Sequence, residues 1–130
     1  MSYYFSKTIK DKNFEEVVDL VSKELQKEGF GIITDIDVQA TFKKKLDIDF
    51  RKYRILGACN PHFAHEALNI EDQIGVFLPC NVVVEEYENG DIEVVAVDPV
   101  ASMMSVNNDA LEEQAMTIQH KLTNVISHLE

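Results

Sequence analysis

The sequence predicts a two-layer α+β fold, an antiparallel sheet with helices on one face. Three observations predict it: a capped amphipathic run after residue 13, an Asn-Gly turn between two apolar β segments, and an apolar stripe at helical spacing from residue 111 to 129. The coarse order is strand, helix, four strands with short helical insertions, and a long helix. Short connections between successive strands favour antiparallel pairing, and the flanking helices then cover one sheet face.

The opening "YYFSKTI" is aromatic and β-branched, as a first strand requires, and the polar "KDKN" bounds it. Asn13 and Glu16 match a capping box. Phe14, Val17, Val18, Val21 and Leu25 then recur at helical spacing until Gly29. "FGIITDIDV" reads as the second strand. "QATFKKKL" and "DIDFRK" form an irregular connection containing a short helix before the third strand, "YRILGAC". Asn60 is a favoured N-cap and Pro61 a favoured first helical residue, so "PHFAHEALN" is expected to leave that strand as a short helix.

"GVFLPCNVVVEEYENGDIEVVAVDP" predicts two strands around Asn89-Gly90, because this pair readily takes the positive backbone angles of a tight hairpin. Asp98-Pro99 reads as a strand terminator, since proline cannot continue a central ladder. "VASMMSVNN" is expected to be irregular, with Met103 and Met104 filling core space or a contact. Asp109 with Glu112 offers a cap for the last helix. Its apolar face carries Leu111, Ala115, Ile118, Leu122, Val125, Ile126 and Leu129.

The chain has 130 residues and 45% hydrophobic composition, enough for the core of one domain over residues 1–130 without disulfides. Two cysteines and the lack of a signal-like opening point to a cytoplasmic protein with reduced thiols. No apolar stretch approaches the roughly 20 residues that cross a bilayer. A net charge of −11 repels phosphate backbones and anionic lipid, so neither nucleic acid nor a membrane is expected as a partner. Lys43, Lys44 and Lys45 read as a solvated helix face. Neither a Gly-x-Gly-x-x-Gly nor a Walker loop supports nucleotide chemistry, and no Gly-x-Ser-x-Gly elbow supports a serine hydrolase.

With "YRILGACNPHFAHEAL", "GVFLPCNVVVEE" and "VAVDPVASM" lined up, nearly the whole chain resembles the uncharacterised bacterial and archaeal family called domain of unknown function 302. The Asn60-Pro61 step, the Leu78 to Cys80 segment and the Asp98-Pro99 step carry the resemblance. It implies a strand, helix, four strands, helix order in which a curved antiparallel sheet wraps a long C-terminal helix, and a tendency to form homodimers. It implies no substrate and no catalytic residues, and fold alone supplies neither.

The chemistry-bearing residues concentrate at the corner between the third strand and the short helix. Cys59, His62 and His65 follow a Cys-x2-His-x2-His spacing, and Cys80 supplies a fourth donor of a type that suits zinc or another transition metal. A small ligand at the same corner would meet Cys59, Asn60, His62 and His65. A third reading uses the thiols, because Cys59 precedes a helix whose N-terminus favours a thiolate and Cys80 can approach it in a redox pair or sensor. Against these stands a bland alternative in which both cysteines face the core and both histidines lie exposed. The leading expectation is a homodimeric domain binding a small ligand or metal at this corner. Dimerisation also answers the open edges of a small sheet. The runner-up, from another class, is a thiol-dependent redox enzyme or sensor using Cys59 and Cys80, and a purely structural interaction module without a ligand comes after it.

Overall fold

The computed structural model describes residues 2–130. Five strands, β1 (Tyr4–Ile9), β2 (Gly31–Asp37), β3 (Tyr53–Cys59), β4 (Cys80–Glu86) and β5 (Ile92–Val97), form an antiparallel sheet in the order β1-β5-β4-β3-β2. The helices are α1 (Phe14–Lys27), α2 (Val38–Leu46), α3 (Pro61–Ile70), α4 (Pro99–Met103) and α5 (Asp109–Ser127). Helices α1 and α5 contact each other and the sheet, while α3 packs on α5. The two-layer α+β expectation therefore holds.

Helix α1 starts on the capping box its sequence announces. The Asn13 carboxamide oxygen accepts from Glu16 N–H at 2.9 Å, and Asn13 N–H donates to Glu16 Oε1 at 3.1 Å. It ends in a Schellman arrangement: Gly29 at φ 87° donates to Gln26 C=O, and Phe30 N–H to Leu25 C=O. All seven residues of the stripe expected on α5 are buried. They meet Ile92, Val94 and Ala96 of β5 and Val82 and Val84 of β4 in one core, because alternate strand residues share a sheet face.

Four local expectations are corrected. The segment before Cys80 is a 3-10 turn over Asp72–Phe77, and the strand begins only after Pro79, which has no N–H to give a ladder. At the hairpin only Gly90 has positive φ, 91°. Gly90 N–H closes a turn onto Tyr87 C=O, and Tyr87 N–H reaches Asp91 C=O, giving a three-residue loop with glycine in the left-handed position. Asn108, not Asp109, caps α5 by accepting from the N–H groups of Ala110 and Leu111. Asp109 and Glu112 instead sit in the first turn, where the helix dipole favours negative charge. The stretch after Asp98 is not irregular throughout: Asp98 caps α4 through Val100 N–H at 3.0 Å, and Pro99 is its first residue. The Asp-Pro step therefore repeats at β5–α4 what Asn60-Pro61 does at β3–α3. No helix among the described residues is long and apolar enough to cross a membrane.

Candidate functional site

Asn60 stands where β3 turns into α3. Its Oδ1 accepts from Phe63 N–H at 3.3 Å and its C=O from Ala64 N–H at 2.9 Å, so the side chain caps the helix while the main chain begins it. Gly29, at the end of α1, abuts it: a Cβ there would lie 3.4 Å from Asn60 Nδ2. Asn60 lines two cavities, about 180 and 200 Å³ in volume, that differ in the residues around them.

The first cavity is apolar and holds both thiols. Cys59 and Cys80 line it with Phe30, Phe63, Leu78 and Pro79. The register sets Ala58 opposite Cys80, so Cys59 lies one position further along the adjacent strand, where successive side chains alternate between the sheet faces. Cys80 faces the core at 4% exposure, and Cys59 is half-buried. Burial pushes the Cys80 thiol from its ordinary value of 9.0 up to about 11, with the neighbouring Cys59 adding to the rise. That is the opposite of an activated thiolate. Gly57 lets the strands close beside this cavity, since a Cβ at that position would meet Thr34 Oγ1 and Pro79 Cγ far inside contact distance.

The second cavity lies between α3 and α5 and is lined by more polar side chains. His62 and Glu66, one helical turn apart on α3, face Gln114, Thr117 and Lys121 of α5. Gln114 Nε2 donates to Glu66 Oε2 at 2.6 Å. Gln114 Oε1 is buried and accepts no hydrogen bond from the described residues. A buried acceptor without a donor carries a desolvation penalty of about 1–3 kcal/mol. Lys121 Nζ is 4.0 Å from Glu28 Oε1, a loose pair that leaves its ammonium free to engage another group.

The expected site residues are thus divided. Cys59 and Cys80 share the first cavity, His62 lines the second, Asn60 belongs to both, and His65 lines neither, its Nε2 lying 3.5 Å from Asn69 Nδ2. Among the described residues no three His, Cys, Asp or Glu side chains come together to hold a metal ion, so the expected zinc set of Cys59, His62, His65 and Cys80 is not assembled. The physical reason is orientation: β4 directs Cys80 into the core, while α3 carries both histidines on its exposed surface. Glu66, Gln114, Thr117 and Lys121 had no motif to mark them. Their i, i+3 and i+4 spacing beside an apolar stripe acquires meaning only once α3 is known to pack on α5.

No curated protein matches the chain. The crystal structure of an uncharacterised conserved protein from Bacillus stearothermophilus is similar to it over 100% of both chains, with 27% identity and a TM-score of 0.91. That protein, too, carries the description of a domain of unknown function. The sequence pattern of the family "Domain of unknown function DUF302" spans residues 5–129, and the chain belongs to that family.

Proposed function

We propose that the chain is a homodimeric domain that binds a small hydroxy- or aminocarboxylate in the cavity between α3 and α5, against Asn60. The unpartnered, buried Gln114 Oε1 carries this reading. It needs a donor, which a ligand hydroxyl or amine supplies, while Lys121 and His62 offer donors to a carboxylate at the same time. A cavity of about 200 Å³ has the volume of roughly seven waters at about 30 Å³ each, which suits a small metabolite.

The test is a heteronuclear NMR titration with small hydroxy acids and amino acids. Binding moves the amide signals of residues 60–66 and 114–121, and Gln114→Met abolishes the movement. If no such compound moves these amides, or the variant responds as the parent does, the reading fails.

Dimerisation draws support from the segment that is least covered. β2 is an edge strand, and α2 buries no residue. Ile33, Ile36, Leu46 and Ile48 all remain exposed there. A second copy covers such a surface by two-fold symmetry. Light scattering coupled to size exclusion tests this: Leu46→Lys is expected to convert a dimer to a monomer, and a monomeric parent at micromolar concentration contradicts the proposal.

A further inference from the structure

All four tyrosines of the chain line one cavity of about 360 Å³ on the sheet face opposite the core. Tyr3 precedes β1, Tyr4 and Tyr53 open β1 and β3, and Tyr87 lies in the hairpin loop. Val83 and Val95, paired across β4 and β5, contribute its apolar surface. Tyr3 and Tyr4 meet edge to face, with ring centroids 5.1 Å apart.

Two carboxylates complete the cavity. Glu85 and Glu93 are directly opposite each other in the β4–β5 register, a like-charge pairing that destabilises a sheet unless a cation intervenes. Glu85 is only 8% exposed. Arg51 approaches a single oxygen of it, Oε1, from both Nε and Nη2 at 3.1 Å. The Tyr87 hydroxyl has one proton to give and donates it to Glu93 Oε1 at 2.7 Å. Two carboxylates therefore face one guanidinium, leaving one negative charge in excess beside the four tyrosine rings. Two of the rings already accept a cation: the Arg51 guanidinium carbon is 5.4 Å from the Tyr53 centroid and 6.0 Å from that of Tyr87.

We infer that this cavity binds a small organic monocation, an alkylated or quaternary ammonium whose charge lies against Glu85 and Glu93 and whose methyl groups meet the tyrosine faces. Ring quadrupoles attract a weakly hydrated ammonium more effectively than a strongly hydrated metal ion, and the excess of one charge suits one cation. The site is distinct from the cavity between α3 and α5 and shares no residue with it.

The chain contains no tryptophan, so its intrinsic fluorescence comes from the tyrosines of this cavity and reports directly on occupancy. Tetramethylammonium chloride, titrated at constant ionic strength against sodium chloride, is expected to produce a saturable change in tyrosine emission. The neutral isostere tert-butanol is expected to produce none. Glu93→Gln keeps the side-chain shape and removes one charge, and Tyr53→Leu removes one ring; each weakens tetramethylammonium binding about tenfold. A response that does not saturate, that tert-butanol reproduces, or that both variants retain at full affinity overturns the inference.

Discussion

The two cavities that meet at Asn60 share a wall and differ in the residues around them. On the strand side the residues serve the fold: Cys80 is buried, its proton is held more tightly than usual, and Gly57 allows Thr34 and Pro79 to close over the sheet. On the helix side the residues leave something undone. Gln114 keeps an acceptor buried without a donor, and the Lys121 ammonium is only loosely paired. A fold usually satisfies its own buried polar groups, and this unsatisfied acceptor beside an open cavity is what supports the proposed ligand site.

The largest effect that sharpens this contrast is alkaline destabilisation from the thiol side. The folded-state value of Cys80 lies above its ordinary value of 9.0, at about 11, so the folded state binds this proton more tightly than the unfolded state does. The resulting stability is complete below about pH 9 and is lost as pH rises towards about 11, by on the order of 3 kcal/mol. Urea unfolding across that range checks it, and Cys80→Ala is expected to flatten the slope. Next comes Gly57→Ala, expected to destabilise by about 1–3 kcal/mol through overpacking against Thr34 and Pro79; the shift in urea midpoint measures it. Asn60→Ala is expected to cost about 1 kcal/mol through the lost cap on α3. Asn60→Asp retains an acceptor and most of that stability, so comparing the thermal midpoints of the two variants separates capping from cavity shape.

How much of this was legible in the sequence follows the range of the interactions. Asn13 and Glu16 lie three residues apart, and the α5 stripe repeats every three or four, so both helices are written locally. The Asn60-Pro61 corner was equally plain. Asp98-Pro99 spells the same signal for α4, yet a proline after a strand equally suits the end of that strand, so the sequence alone does not separate the two. Sequence spacing does not record that β4 sends Cys80 inward while α3 carries His62 and His65 on its exposed surface, so the pattern of Cys59, His62, His65 and Cys80 does not itself say which side chains meet. Gln114 and Lys121 are 48 and 55 residues away from Glu66 in the chain, and no pattern joins them before α3 and α5 pack.

The most direct test of the central claim, that Gln114 is kept for a ligand and not for the fold, is urea denaturation of ligand-free Gln114→Met at neutral pH. Methionine matches the length of glutamine and removes the buried orphan acceptor, while the released Glu66 side chain remains in solvent. An unchanged or higher midpoint is the predicted result. A loss of more than about 1 kcal/mol would show that Gln114 stabilises the folded chain on its own, and would contradict the claim.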